Sequence, residues 1–287
     1  MTVPVLLEIA VGGPVPLAAA AELAVAAERA GVVALRLRDT AAAGRALDPS
    51  VVAAYLAGRT TELGYLIDLP TTGNAPYNAA RRVLSFDRAV GGRAGVVLRP
   101  GAGDEVSAAA APDPAADSPA ERWVEYATVL TRLWESFPRA ALLGDQERAL
   151  VLDDTLITPI DFAGRYYRVA GPLDSPSSVQ GRPVLAVEAG IADAGLADVV
   201  FAERGAPVPT GSFAVIGRAE VAPDTDLAEL ATWAAAYDAV LLAPVGGPDA
   251  VRDTIDRVVP ALARREPHPT LRAALGLPIP TIEEVPA

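Results

Sequence analysis

The sequence predicts an α/β fold in which eight short strands close into a (β/α)8 barrel. Eight short apolar segments rich in Val, Leu and Ala are spaced along the chain, and helical patterns follow most of them. About half of the 287 residues are apolar, which suffices for a large core. Neither an internal repeat nor a linker divides the chain, so we expect a single barrel domain over residues 1–287.

The first half of the barrel is predicted from alternating strand and helix patterns. Asp48 is a suitable N-cap, and Pro76 suits a first helical turn because its missing N–H would be unpaired there anyway. Gly91 and Gly92 end the helix that Pro76 begins. The predicted elements are strand 3–10, helix 16–31, strand 32–39, helix 48–60, strand 64–69, helix 76–90 and strand 94–98.

The second half contains an insertion and a tail. Residues 100–117 are small and Pro-rich, which predicts a mobile loop before a helix that Ser118 begins. We expect an insertion at 137–181, with a hairpin about Ala163 and Gly164, and a tail at 266–287. The remaining predicted elements are strand 182–190, a short helix, strand 198–203, strand 212–222, helix 226–236, strand 239–245 and a closing helix.

The composition excludes several classes of function. The formal charge is −12, and all 24 basic residues are Arg, so a nucleic acid or an anionic membrane is not expected as a partner. With no Cys and with His268 as the single histidine, the chain cannot build a Cys- or His-rich zinc site. A Ser-His-Asp triad would have to use His268, which stands in a Pro-flanked tail, where we expect a surface role in place of catalysis. Because the N-terminal residues lack the pattern of a signal peptide, we expect a cytoplasmic protein.

Several motifs resemble one known family. They are PYNAARR at 76–82, LSFDRAVGGRAG at 84–95, GPLDSPSSVQGRPVLAVEAG at 171–190 and TLRAALGLP at 270–278. In this order they are similar to motifs of the luciferase-like flavin monooxygenases, in the branch that oxidises nitrilotriacetate and sulfones. The resemblance implies a luciferase-like TIM barrel with shortened insertions and a hairpin excursion before strand five.

The resemblance also implies a chemistry. Members of the family hold reduced FMN at the C-terminal mouth of the barrel, where it activates O2 to oxidise a small organic substrate. A deazaflavin is the alternative cofactor. A separate flavin reductase and a homodimer built through barrel helices are the implied partners.

The implied cofactor site departs from the family pattern at most positions. Asp39 keeps the family's Asp, whereas Asp68 stands in place of a Thr and Trp123 in place of a Tyr that binds phosphate. The helical spacing of Trp123 and Trp134, by contrast, predicts packing in the core. Residue by residue, the resemblance implies that the cofactor site comprises Asp39, Asp68, Arg99, Trp123, Gly190, Ile191 and Ala192. Since Gly190 is followed by Ile191 and Ala192 in place of two Ser residues, an altered flavin site is expected.

Strand alternation predicts charged groups inside the barrel. If Leu35 and Leu37 face the helices, Arg36 and Arg38 point into the lumen. The same alternation directs Glu8, Asp68 and Glu188 inward and places Arg99 near the mouth. Arginine and carboxylate groups should then neutralise one another, since an unpaired buried charge is costly.

Three functional hypotheses follow from the sequence. The first is a flavin-dependent monooxygenase. The second is a catalytically silent barrel that has lost flavin and serves as a partner subunit or small-molecule binder. The third is a non-redox enzyme that uses Asp39, Asp68 and Arg99 for acid–base chemistry.

Overall fold

Parallel strands form the centre of the molecule. The computed structural model describes residues 3–39, 47–101, 118–191, 194–263 and 265–280. The strands in this part of the chain are β1 (Val5–Ile9), β2 (Ala34–Leu37), β3 (Gly64–Pro70), β4 (Ala94–Arg99), β5 (Leu142–Asp145), β6 (Leu150–Leu152), β7 (Phe162–Ala163), β8 (Arg168–Val169), β9 (Val184–Glu188), β10 (Val199–Glu203), β11 (Ala214–Val221) and β12 (Ala239–Pro244). Eight of them form a closed parallel barrel in the order β1-β12-β11-β10-β9-β4-β3-β2. The predicted (β/α)8 barrel is therefore confirmed.

Helices pack around the outside of this barrel, except the last one, which lies across its lower end. They are α1 (Leu17–Ala30), α2 (Pro49–Ala57), α3 (Pro76–Ala89), α4 (Pro119–Glu135), α5 (Leu227–Ala234), α6 (Pro248–Asp253), α7 (Val259–Leu262) and α8 (Leu271–Ala274), with a π-helical turn at Thr254–Val258 between α6 and α7. Among the described helices, none has both the length and the apolar character needed to cross a membrane.

Capping residues position the helices as the sequence predicts. The Asp48 side chain accepts the N–H groups of Ser50 and Val51 at the start of α2, and Ser118 accepts the N–H of Glu121 at the start of α4. Each satisfies a donor that the first helical turn would otherwise leave unpaired. Proline occupies the first position of α2, α3 and α4, where its fixed φ is suited to helix.

The apolar residues form two layers, one outside the strands and one inside. Outward-facing residues such as Leu35, Leu37 and Ile67 are buried against the helices. A second buried cluster fills the lumen, with Leu6, Leu66, Val97, Ala186, Val199, Phe201, Ile216 and Leu241 among its members. The two-residue period of the strands thus separates an outer interface from a packed interior.

The C-terminal segment closes the floor of the barrel. Leu271 and Leu275 on and after α8 belong to the lumen cluster, and the N–H of Leu271 donates to the carbonyl of Gly92 at 2.9 Å. Arg272 is buried there and forms two hydrogen bonds with the carboxylate of Asp198, at 3.1 and 2.8 Å. The open end of the barrel is therefore the opposite one, at the carboxyl ends of the strands.

Some elements differ from their predicted form. The insertion contains the expected hairpin, β7–β8, but also a second one, β5–β6, that the sequence patterns did not reveal. The expected short helix after β9 is a 3-10 turn, Ala194–Leu196. Most of the loop predicted at 100–117 lies outside the described residues, and the single-domain assignment stays a prediction.

Candidate functional site

Charged side chains from the ends of seven barrel strands meet at the mouth. We call this group the mouth network; its members are Glu8, Arg36, Arg38, Asp68, Arg99, Glu188, Glu203 and Arg218. It contains four guanidinium groups and four carboxylates, so its formal charges cancel. Strand alternation places these groups above the apolar lumen cluster, as the sequence predicts for all of them except Glu203 and Arg218.

Arg36 occupies the centre of the mouth network. Its Nε donates to Asp68 Oδ1 at 3.0 Å, and its Nη2 donates to Glu188 Oε1. Its Nη1 lies 3.7 Å from Glu8 Oε2, and its guanidinium carbon lies 4.7 Å from the centre of the Phe201 ring. The side chains of Arg36 and Asp68 are 1% and 0% exposed. These contacts tie strands β1, β2, β3 and β9 together across the lumen.

Glu8 joins the centre to the opposite wall. Arg218 on β11 donates to both oxygens of Glu8, at 2.7 and 3.0 Å, and its third nitrogen donates to Glu203. Arg38 adds a hydrogen bond to Glu8 at 3.2 Å. Such two-pronged contacts fix both the position and the orientation of a carboxylate. Glu8 consequently accepts hydrogen bonds from two guanidinium groups and forms an ion pair with a third, that of Arg36.

Burial and charge act in opposite directions on these groups. Burial raises the pKa of Asp68, and the nearby Arg36, Arg38 and Arg99 offset that effect only in part. For Glu8 burial also acts to raise the pKa, but the hydrogen bond from Arg218 and the surrounding positive charges outweigh it and lower the pKa. Likewise, burial acts to lower the pKa of Arg36, and the surrounding carboxylates, Asp68 first, raise it. The buried groups of the mouth network therefore stay charged only because each has an oppositely charged partner beside it.

The predicted site residues on β2, β3 and β4 do come together. Asp68 pairs with Arg99 at 3.3 Å. Asp39 and Asp68 both line a cavity of about 250 Å³ that opens between the end of β3 and the starts of α2 and α3. Ligand pockets of proteins typically have volumes of about 300–1,000 Å³, so this cavity is small for a drug-sized molecule. Within the described segments, no His, Cys, Asp or Glu side chains are grouped as a metal ion would require.

The other predicted site residues are arranged differently. Trp123 is fully buried, and its single N–H donates to the Leu98 carbonyl at 2.9 Å, which leaves no polar atom for a phosphate. Its expected packing in the core is confirmed. Gly190 has a φ of +81° and open space beside its Cα, but the N–H of Ile191 donates to the Glu188 carbonyl. Ala192 lies outside the described residues.

The resemblance implies that FMN binds at the mouth of the barrel. The described residues of the mouth do not fit this cofactor. The guanidinium groups that could bind a phosphate already have carboxylate partners: Arg36 and Arg99 contact Asp68, and Arg38 and Arg218 contact Glu8. The carboxylate of Glu188, directly before the implied phosphate turn, would repel a phosphate. A flavin ring in the lumen would have to displace buried ion pairs.

Two members of the mouth network, Glu203 and Arg218, are absent from the predicted site. A usable signal is present, since Arg218 stands between apolar residues of β11 as Arg36 does in β2. In β10, Glu203 follows Phe201 with the two-residue spacing that places both on the lumen face. Applying the alternation rule to every strand would have identified both.

Comparison with known proteins provides a family. The sequence matches the family model described as luciferase-like monooxygenase over residues 3–282. One of the subunits of pristinamycin IIA synthase from Streptomyces pristinaespiralis is 32% identical over 183 residues, which are 63% of this chain and 61% of that protein. Nitrilotriacetate monooxygenase component A of Aminobacter aminovorans is 32% identical over 169 residues, which are 55% of this chain and 36% of that protein.

A solved structure supports the same fold. EDTA monooxygenase (EmoA) from Chelativorans sp. BNC1 superposes with a TM-score of 0.76 at 20% identity, and the alignment covers 97% of this chain and 99% of that chain. With the two curated relatives, by contrast, the alignments span less than two thirds of those proteins' own length. Because the family model matches nearly all of the sequence, the chain belongs to the luciferase-like monooxygenase family.

Proposed function

We propose that this chain is the oxygenase of a flavin-dependent monooxygenase system that acts on a small organic substrate. The observation that carries the proposal is the family match over residues 3–282. The strands form a closed barrel, and the charged groups of the mouth network lie at the carboxyl ends of these strands. In barrels of this class, active sites lie at the carboxyl ends of the strands. Flavin would supply the oxygen chemistry, and this chain would bind and orient the substrate.

The partners follow from the same proposal. We propose that reduced FMN comes from a separate flavin reductase; the name of the relative from Aminobacter aminovorans, component A, indicates one part of a larger system. The rim offers both signs of charge to a substrate. Arg38 and Arg99 are 31% and 39% exposed, and Glu188 and Glu203 are 24% and 55% exposed. A small polar molecule would contact the exposed parts of these groups, each of which already has a partner within the mouth network.

A coupled turnover assay tests this function. The purified chain is mixed with a flavin reductase, NADH, FMN and a panel of candidate substrates that includes nitrilotriacetate and EDTA. We expect oxygen consumption and an oxidised product that both require the chain and one of the substrates. The matched control is the same mixture without the chain.

Two results would argue for the other hypotheses. If the chain changes neither oxygen consumption nor product formation, the alternative of a catalytically silent barrel is favoured. If substrate is converted without flavin or oxygen, the acid–base hypothesis is favoured, because Asp68 and Arg99 do lie together at the mouth. Location in the cytoplasm stays a prediction.

A further inference from the structure

The mouth network covers the lumen from the open end. Seven of the eight barrel strands contribute a side chain to it, and its two central groups, Arg36 and Asp68, are almost completely shielded from solvent. Beneath it lies the apolar lumen cluster, which includes Phe201 and Leu66. Any ring that entered the lumen would first have to separate Arg36 from Asp68 and Glu188.

That separation carries a large cost. Breaking a buried ion pair leaves charges without partners in a medium of low polarity, which weakens binding of a competing ligand by about 100-fold or more. Because the network is balanced, with four charges of each sign, it attracts neither a phosphate nor a cation strongly. Because its charges neutralise one another, the network needs no charged ligand to balance it.

We infer that the mouth network is a built-in plug that occupies the place of a resident flavin, so that this chain binds FMN weakly unless the central ion pair is removed. The inference rests on the proposed function only for the choice of flavin as the ligand. The plug acts on the equilibrium binding of FMN by this chain.

The test compares FMN binding by wild type and by two double variants. Each variant removes one positive and one negative charge from the mouth network. The first variant is Arg36→Leu/Asp68→Leu, which extends the apolar lumen cluster towards the mouth. The second is Arg36→Gln/Asp68→Asn, which removes both buried charges but keeps polar side chains at the two positions, in case the first variant does not fold. The matched control, Arg265→Leu/Glu62→Leu, removes an exposed ion pair of 2.8 Å far from the mouth.

Quenching of FMN fluorescence and calorimetry, with oxidised and with anaerobically reduced FMN, provide the Kd, and circular dichroism checks the fold. We expect the Kd of a folded mouth variant to fall by about tenfold or more relative to wild type, and the control to stay within about twofold. Wild-type protein that binds FMN tightly would overturn the inference. So would folded mouth variants that bind no better than wild type.

The turnover assay keeps this inference separate from the proposed function. Tight FMN binding by wild type would overturn the plug and leave the monooxygenase proposal standing. If the mouth variants gain FMN binding but neither they nor wild type oxidises any substrate in the panel, the plug is supported and the proposed function fails.

Discussion

Asp87, in the last turn of α3, is a buried carboxyl group outside the mouth network. Its Oδ1 accepts the N–H of Ala94 and the side-chain amide of Gln180, both at 2.8 Å. Gln180 in turn accepts the N–H of Arg272 on α8. Burial nonetheless raises the pKa of Asp87 to about 6, because full removal from water outweighs these donors. The titratable carboxyl group of Asp87 therefore connects α3 to β4 and to the insertion, and through Gln180 to α8.

This arrangement predicts a pH dependence of stability. The folded chain holds the Asp87 proton up to about pH 6, whereas the unfolded chain loses it near 3.8, so this group lowers the free energy of unfolding as pH rises between those values. The loss is on the order of 3 kcal/mol. The variant Asp87→Asn keeps the Oδ1 acceptor but cannot titrate. Its free energy of unfolding, measured with urea at pH 4, 5, 6 and 7, should therefore lack the decrease that Asp87 causes in wild type.

The comparison isolates Asp87 from the other carboxyl groups. Glu8, for example, contributes in the opposite direction, because its pKa is lowered and its stabilisation is lost as pH falls below its unfolded value. Only the difference between the two profiles is diagnostic. Parallel profiles of wild type and Asp87→Asn would show that Asp87 has no raised pKa.

At the scale of an element, the end of α3 depends on two adjacent glycines. Both have positive φ, +66° for Gly91 and +81° for Gly92, a conformation that L side chains rarely adopt. They differ in their surroundings. A Cβ on Gly91 would meet nothing within 4 Å, whereas one on Gly92 would lie 2.7 Å from Val179 and 3.1 Å from Thr270. The second glycine allows α3 to approach the insertion and the C-terminal segment.

The two positions form a matched pair of substitutions. Gly91→Ala should lower the free energy of unfolding by about 1–2 kcal/mol through backbone strain alone. Gly92→Ala should lower it by a further 1–3 kcal/mol, approximately, because the neighbouring side chains must shift. Chemical denaturation of both variants measures the difference. Equal losses would mean that the contacts of Gly92 contribute nothing to stability.

Elements also differ in how far the sequence predicts them. Asp48 and Ser118 mark the starts of helices because a cap acts within one turn, and the structure confirms both. The hairpin β5–β6 was missed because strands this short depend on pairing that local patterns do not reveal. The mouth network was predicted where alternation was applied, at Arg36 and Asp68, and missed at Arg218, where it was not. Whether these groups bind a cofactor depends on energies that a residue pattern cannot supply.

At the scale of the whole molecule, α2 presents an exposed apolar surface. Val51 and Tyr55, one turn apart, are 66% and 38% exposed, and Leu47 lies nearby on the loop before the helix. We propose that this face forms the contact between two copies of the chain. In a symmetric dimer the same patch of both chains forms the contact, and one exposed apolar helix face can supply it.

The dimer is tested by mass in solution. Light scattering after gel filtration should show the mass of two chains for wild type and of one chain for Val51→Glu/Tyr55→Glu, since a buried carboxylate pair is strongly unfavourable. Val151→Glu, at a 70% exposed position on β6, is the matched control and should remain dimeric. A monomeric wild type, or a dimeric α2 variant, would contradict the proposal.

The position of α8 in the chain also bears on how the protein is made. Leu271 and Leu275 complete the lumen cluster, yet they follow all eight barrel strands in sequence. During translation, the earlier strands therefore emerge from the ribosome before the residues that seal their lower end exist. Apolar surface therefore stays accessible for most of synthesis, which favours aggregation and makes chaperones useful until the C-terminal segment is complete.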